Sequence, residues 1–588
     1  MTTPALTPEL IARARAFAAH DPDPAGRAEI EAMVAARDPE LAARFAGPLA
    51  FGTAGLRGLL GAGESRMNRA VVIRTTAGIA AWLRDTGADP RRGVVVGYDG
   101  RRQSDVFARD AAAVLLAAGF VVHLGKACRP TPLCAFAVRQ VRAVAGIVVT
   151  ASHNPPDYNG YKVYAADGAQ ITAPTDRAIA TAIEAVPPAD EVPRADLEGA
   201  SPEDLRWLDE AMDRDYLAAV RALVPRAASP GDLRIAYTPL HGVGAPLLRR
   251  ALNDAGFTDV HVVAEQAEPD GAFPTVSFPN PEEKGAMDLA LALGRRVGAD
   301  LVIANDPDAD RLACSVRPKG DEGGAYVALT GNEVGCLLGD YALARLDPSG
   351  EERLIVNTIV SSPWLARIAA YHGAQHAMTL TGFKWIAAKA MDLERTRGAR
   401  FVFGYEEALG YATGRAVRDK DGISAALALV TYAAELKARG ETLLDAREQL
   451  WRRHGVHLSA QRAQWFEGAD GAQRMARLMG ELRDAPPRTL ADAAVVTVTD
   501  CLRGTIVTIA DGAETNLDLP RSDVLGFALA SGDRVLVRPS GTEPKLKLYV
   551  DVCRPVGDDD LASARTDAEA RLEALVVAMR HHLETDPS

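Results

Sequence analysis

Ala145-Gly-Ile-Val-Val-Thr-Ala-Ser-His-Asn-Pro-Pro-Asp-Tyr-Asn-Gly-Tyr-Lys162 joins an apolar, β-branched run to a turn built of Ser, His, Asn and two prolines. The run has the composition of a buried strand, and the prolines stop it at a rigid loop facing solvent. An α/β sheet presents its chemistry in such loops, at the carboxyl ends of its strands. Here the loop sets the hydroxyl of Ser152 beside the imidazole of His153. Taken alone, the segment also fits an ordinary turn, because Ser, Asn and Pro are common turn residues. The rest of the chain decides between the two.

Outward from this stretch, short Val/Ile-rich runs alternate with helical patterns. Val94-Val-Val-Gly97 reads as a second strand and Asp105–Ala118 as a helix, which is an α/β alternation. Upstream, Thr7-Pro-Glu supplies an N-cap, an N1 proline and a first-turn acid for an alanine-rich helical arm. Downstream, the polar, Pro/Asp/Glu-rich stretch 186–204 reads as a linker. A second α/β pattern follows, with strands at 233–237 and 301–304 and a helix from Ala245. A third has strands at 354–357 and 401–403. The last segment changes character, with antiparallel strands expected at 495–499, 505–510 and 534–550 and a closing helix over 562–583. The expected class is therefore α/β: three similar α/β domains with mixed sheets plus a smaller C-terminal α+β domain. The expected boundaries are 1–200, 201–325, 326–455 and 456–588. A chain of 588 residues exceeds what one core supports, so several domains are required.

Composition narrows the function. The chain is 48% hydrophobic and 24% charged, with a net charge of −12, which argues against a general nucleic-acid or membrane-surface role. An anionic ligand must then find a local basic cleft. The six cysteines show no CxxC pair and no zinc spacing, and fit reduced thiols in a cytoplasmic protein. The first ten residues lack the basic and apolar regions of a signal peptide, and the most apolar stretches are too short to span a bilayer. The expectation is a cytoplasmic enzyme, monomeric or homodimeric, without membrane or nucleic-acid partners.

Asp306-Pro-Asp-Ala-Asp-Arg311 follows directly on the strand at 301–304. Three carboxylates at alternate loop positions can converge on one hard cation such as Mg²⁺, Mn²⁺ or Ca²⁺. An EF-hand is excluded, because its sixth position is Arg311 instead of Gly and its twelfth is Arg317 instead of Glu. Mg²⁺ usually keeps positions for water or phosphate oxygens, so a phosphorylated partner is a natural further ligand. Arg538-Pro-Ser-Gly-Thr-Glu-Pro-Lys-Leu-Lys547 brings together a guanidinium, Ser540, Gly541, Thr542 and either Lys545 or Lys547, a phosphate cradle without a Walker sequence. No GxxxxGK[ST] occurs, and no GxGxxG follows a strand, which argues against nucleotide cofactors. Phe51-Gly-Thr-Ala-Gly-Leu-Arg-Gly58 can bring backbone and Arg57 close to an anion. Thr381-Gly-Phe-Lys-Trp385 and Gly404-Tyr-Glu-Glu-Ala-Leu-Gly410 carry polar groups suited to sugar hydroxyls, and Lys420 is a candidate proton donor if desolvated.

These motifs, in this order, resemble the α-D-phosphohexomutase family of phosphoglucomutase and phosphomannomutase relatives. The resemblance spans nearly the whole chain and implies a heart-shaped molecule of three similar domains and a mobile fourth around a central cleft. It implies that Ser152 is the phosphoserine, and that Asp306, Asp308 and Asp310 hold one Mg²⁺ together with a phosphoseryl oxygen. Lys162 and Arg311 would neutralise the reacting phosphoryl group, and Arg538, Ser540 and Thr542 would hold the phosphate that does not react. Glu406 matches the sugar contact and Lys420 an acid/base position, with His153 the other candidate for proton transfer. Where many members carry a serine in the sugar loop, this chain has Ala408, which removes one sugar hydrogen bond. Phe51–Arg57, Phe273–Glu283 and Thr381–Trp385 resemble the branch that contains phosphopentomutase and glucose-1,6-bisphosphate synthase.

The implied reaction interconverts α-D-glucose 1-phosphate and glucose 6-phosphate through a phosphoserine enzyme and a sugar 1,6-bisphosphate intermediate and activator. Phosphopentomutase, phosphomannomutase and bisphosphate synthase activities are the alternatives within the class, and a metal-dependent sugar-phosphate phosphatase is the alternative outside it. A non-catalytic sugar-phosphate binder would need neither the nucleophile nor the complete Asp triplet. Three aspartates and a dianionic phosphoserine total about −5, so even with Mg²⁺ bound Arg57, Lys162, Arg311 and Lys420 are needed to offset the remainder.

Overall fold

The computed structural model describes residues 6–52, 55–225, 229–320, 325–346, 350–466, 470–540, 545–557 and 560–584. The chain divides into two compact units, one of residues 1–329 and 409–440 and the other of 330–408 and 441–588.

In the first unit, Val94–Tyr98 and Ala145–Val149 are buried along nearly their whole length, as parallel strands covered on both faces must be. They pair in parallel with each other, and Val94–Tyr98 also pairs with Val122–Gly125. Beyond Ala145–Val149 the sheet turns antiparallel through Tyr158–Ala165 and then Leu56–Leu59. The Ser152 loop is therefore the connection between a central parallel strand and its antiparallel return. Helices Arg69–Asp85 and Ser104–Ala117 carry much of the apolar core with these strands, including Val72, Ile79, Phe107, Val96 and Ile147.

The stretch 186–204, expected as a linker, instead packs Ala189 and Val192 against Ala70, Ile73 and Val114. Ala195 N–H donates to Ala113 C=O at 2.9 Å. The chain then adds Leu205–Leu208 as a further parallel strand beside Val122–Gly125, so the first sheet continues past residue 200. The apolar residues scattered through this polar stretch, not its average composition, decide its placement.

A second sheet in the same unit repeats the plan. Leu301–Ala304 runs parallel to Ile235–Thr238 and antiparallel to Ala313–Val316, and the Asp306–Arg311 loop joins it to that return strand. Helix Gly422–Ala438, within the expected third domain, falls in this compact unit and packs on helix Ala245–Asp254. The N-terminal arm, Pro8–Ala19 and Pro24–Ala36, has its own small core of Ala14, Ile30, Met33, Leu41 and Phe45. The Thr7 hydroxyl accepts from Leu10 N–H at 3.2 Å, the cap expected there.

The second unit holds parallel strands Arg353–Thr358, Gln375–Thr379 and Arg400–Glu406. It also holds an antiparallel sheet in which Lys545–Arg554 lies between Val456–Trp465 and Arg534–Pro539. Helix Leu561–Glu584 packs on two of those strands. Among the described residues, three sheets with helices and a fourth, antiparallel one match the expected α/β plan. No helix among the described residues is long and apolar enough to cross a membrane.

His123 gives a stability prediction. It lies opposite Arg206 across the parallel pair, and burial together with that cation lowers it from 6.5 to about 4. As pH falls, the unfolded chain is protonated first. The contribution of His123 is therefore intact above pH 6.5 and is lost as pH falls through about 4. His123→Val is expected to flatten part of the fall in melting temperature over this window, as measured by circular dichroism.

Candidate active site

The Ser152 and Asp306 loops come together inside the first unit. Ser152 Oγ donates to Asp306 Oδ2 at 2.7 Å and lies 3.2 Å from Nδ1 of His153. Ser152 is buried, and its backbone is left-handed with φ +52°, uncommon for a residue with a Cβ. In the facing loop Ala309 also takes a positive φ, +58°, which bends the chain so that alternate carboxylates converge. One oxygen from each of Asp306, Asp308 and Asp310 lies within 4.8 Å of the others, and all three residues are fully buried. Asp306 Oδ1 accepts from Arg311 N–H at 3.0 Å, and Asn305, held by the Tyr237 hydroxyl, donates to Arg311 C=O at 2.6 Å. These bonds close the loop from both ends.

The cations come from four segments of the unit. Lys162, on the strand that returns from the Ser152 loop, donates to Asp308 Oδ2 at 2.7 Å and Asp310 Oδ2 at 2.9 Å. Arg311 Nε lies 3.9 Å from Asp306 Oδ2. Lys420 Nζ lies 3.4 Å from Asp310 Oδ2 and 3.6 Å from Asp419 Oδ1. Its neighbours fix the Lys420 loop: Asp419 accepts from Tyr164 and Gln170, each at 2.8 Å. Asp421 accepts from Tyr216 at 2.7 Å and from the first amides of helix Gly422–Ala438. Arg57 stands at the edge strand opposite Gly160, where its Nη1 donates to Asn154 Oδ1 at 3.1 Å. Gly55 makes that strand possible, since φ is +75° and a Cβ there would lie 1.8 Å from the Tyr161 carbonyl oxygen.

Burial, reinforced by the charges of Asp308 and Asp310, pushes the Asp306 carboxyl well above its ordinary range. Burial also opposes charge on Asp308, but the Lys162 ammonium and the Thr131 hydroxyl outweigh it and hold that carboxyl well below the usual range. Desolvation, with Arg311 and Arg57 nearby, holds His153 far below its ordinary value and keeps it neutral. Asp308 Oδ1 and Asp310 Oδ1 are buried without a hydrogen-bond partner among the described residues. Hard oxygens left uncompensated in a mutually repelling buried triplet are what a divalent cation of the Mg²⁺ type satisfies, so this acidic triad can hold a metal ion.

The remaining predicted residues lie in the second unit. Arg538 sits on Arg534–Pro539 directly across from Lys547, and Ser540 N–H donates to Lys545 C=O at 2.8 Å. Lys545 Nζ lies 4.5 Å from the centroid of the Trp465 ring. Gly541 and Thr542 fall outside the described residues. Glu406, buried, ends the strand Arg400–Glu406. The following Glu407 is anchored by Thr358 and Ser361, whose hydroxyls donate to its Oε2 at 3.1 and 3.0 Å. Gly382, at φ +112°, opens helix Phe383–Arg397. Lys384 Nζ lies 6.0 Å from the Trp385 ring centroid, and Thr381 Oγ1 is buried without a hydrogen-bond partner among the described residues.

Sequence reasoning missed Thr131, whose hydroxyl donates to Asp308 Oδ2 at 2.7 Å, and the ion pair of Arg101 with Asp99. The only available signal was the position of Asp99 just past a parallel strand.

Four family models match the chain in order: phosphoglucomutase/phosphomannomutase α/β/α domain I over residues 48–189, domain II over 214–320, domain III over 330–454, and the C-terminal domain over 488–568. A Haemophilus influenzae protein named "Probable phosphomannomutase" is 39% identical over 526 residues, 88% of this chain and 98% of that one. A Staphylococcus aureus phosphoglucomutase is 34% identical, over 88% of this chain and 91% of its own length. Among solved structures, parafusin, a phosphoglucomutase of Paramecium in an open form, superposes with a TM-score of 0.66 at 19% identity. That match covers 91% of this chain and 96% of the other and speaks for the fold alone.

Proposed function

This chain belongs to the phosphoglucomutase/phosphomannomutase family of isomerases, and on that premise we propose that it is a phosphosugar mutase acting through Ser152, with α-D-glucose 1-phosphate and glucose 6-phosphate as its pair. The observation that carries the reading is Ser152 Oγ seated 2.7 Å from Asp306, beside a buried acidic triplet lined with cations. The four matched stretches support four domains close to 1–200, 201–325, 326–455 and 456–588.

In the proposed reaction, the free hydroxyl oxygen of a bound sugar monophosphate attacks phosphorus on phosphorylated Ser152. The P–Oγ bond breaks, a new P–O bond forms to the sugar, and the hydroxyl proton ends on Ser152 Oγ. His153, neutral and 3.2 Å from Oγ, is placed to take the proton that Oγ gives up when it recovers a phosphoryl group, and the ammonium of Lys420 is placed to donate one when that group leaves. The resulting 1,6-bisphosphate reorients and returns its other phosphoryl group to Ser152. Lys162, Arg311 and Arg57 offset charge on the transferring group, and Arg538 with Ser540 and Lys545 or Lys547 holds the phosphate at rest. Mg²⁺, held by Asp306, Asp308 and Asp310, would supply electrostatic stabilisation of the phosphoryl oxygens. Glu406, Thr381, Gly382 and Lys384 are the proposed sugar contacts.

The test is a coupled assay with glucose, mannose, glucosamine and ribose 1-phosphates, with and without the matching bisphosphate. Glucose 1-phosphate should turn over fastest, and added bisphosphate should shorten the lag. Release of inorganic phosphate without isomer would make the protein a phosphatase instead.

A further inference from the structure

We propose that Arg101, paired with Asp99, is a positioning residue that holds the Ser152 loop in its reactive conformation; this rests on the phosphoserine reading above. The Arg101 side chain is fully buried, yet most of its donors are spent on main chain instead of on a carboxylate. One terminal nitrogen donates to the carbonyls of Ser152, at 2.7 Å, and Asn154. The other donates to those of Pro155 at 2.8 Å and Tyr158 at 3.1 Å. Four carbonyls of one loop are thus gathered on a single planar cation, and charge-assisted bonds of this kind are the strong ones. The guanidinium is backed by the Phe273 ring, 4.9 Å from its centroid.

Asp99 completes the device. Its Oδ2 lies 3.5 Å from Arg101 Nε and accepts from the Thr150 hydroxyl at 2.6 Å. The same hydroxyl accepts from Ser152 N–H at 2.8 Å. Its Oδ1 accepts from Ser104 at 2.7 Å and from Arg101 N–H at 3.0 Å. Both backbone polar groups of Ser152 are therefore tied to one buried ion pair, the carbonyl directly and the amide through Thr150. A left-handed serine at φ +52° persists only where its surroundings over-determine it. This ion pair supplies that constraint and aims Oγ at Asp306. Lysine keeps the charge but, as a compact ammonium, cannot fork across four carbonyls.

Arg101→Lys and Arg101→Ala are expected to lower kcat by about 10²-fold while KM for the sugar phosphate stays within about threefold, the split that misplacement of a nucleophile produces. Labelling of Ser152 from the 1,6-bisphosphate should slow by the same factor, and added guanidinium ion should restore part of the Arg101→Ala rate. If those variants do not fold, Phe273→Leu keeps the arginine and decides: a loss of about 3–10-fold in kcat at unchanged KM supports the proposal. Wild-type kcat per folded Arg101→Lys molecule overturns it, as does wild-type kcat in Phe273→Leu where that variant decides. A wild-type enzyme that neither isomerises sugar phosphates nor labels at Ser152 overturns the phosphoserine reading itself, a result distinct from normal turnover in the Arg101 variants.

Discussion

Ser152→Ala is expected to lower mutase turnover by about 10⁴-fold or more, because it removes the atom that carries the phosphoryl group and no neighbour replaces it. His153 is neutral and adjacent, but its imidazole can serve Oγ without standing in for it. The substitution changes little else. Alanine meets the same left-handed backbone that serine already occupies, so no new main-chain strain is introduced. The lost hydroxyl leaves Asp306 Oδ2 without its 2.7 Å donor, at a cost of about 1–3 kcal/mol, which a chain of this size can absorb. Affinity for the sugar phosphate should stay within about threefold, since its resting phosphate is assigned to Arg538 and its neighbours. Three measurements check this: the coupled assay, calorimetric titration with the sugar phosphate, and radiolabel transfer from the 1,6-bisphosphate. Near-normal turnover, or label appearing on another residue, would remove Ser152 from the mechanism.

The residues that could be read from sequence are those whose type states their chemistry. A hydroxyl after a buried strand and three alternating aspartates announce themselves, and the structure brings Ser152 and Asp306 into contact although 154 positions separate them. Arg101 was silent because its partners are carbonyl oxygens, which every residue carries and no motif marks. Thr131 was silent because a threonine reaching Asp308 across 177 positions looks like any other helix-starting threonine. The packing partner of Gly422–Ala438 was hidden for another reason. Residues are buried all around that helix, so its pattern has no apolar stripe to say which neighbour it faces. The two hairpin-like loops show why the sheets themselves were easier. Each follows a short, fully buried Val/Ile-rich strand, and that composition is decided locally.

Asp306→Asn is expected to separate stability from activity. Asp306 is buried within 4.8 Å of the Asp308 and Asp310 carboxylates, and burial with their repulsion disfavours its charge, so this carboxylate burdens the metal-free fold. Replacing one carboxylate by an amide relieves part of that repulsion while leaving an oxygen for Arg311 N–H, which lies 3.0 Å from Oδ1. The metal-free variant should therefore melt at or above the metal-free wild type. Addition of Mg²⁺ should reverse the order. The wild type gains about 2.7 kcal/mol at a hundred times its dissociation constant, and the variant, short of one charged ligand, gains far less. Turnover should fall by about 10³-fold, because charge on the transferring phosphoryl group loses its main counterweight and Ser152 Oγ loses a charged acceptor. Melting curves with chelator and with Mg²⁺, run beside the coupled assay, read all three quantities on one preparation. A variant that keeps both the wild-type Mg²⁺ shift in melting temperature and turnover within about tenfold would show that the triplet neither holds the metal nor serves the transfer. A lower metal-free melting temperature alone would place Asp306 in the fold through its bonds to Ser152 and Arg311, since relief of repulsion predicts the opposite sign.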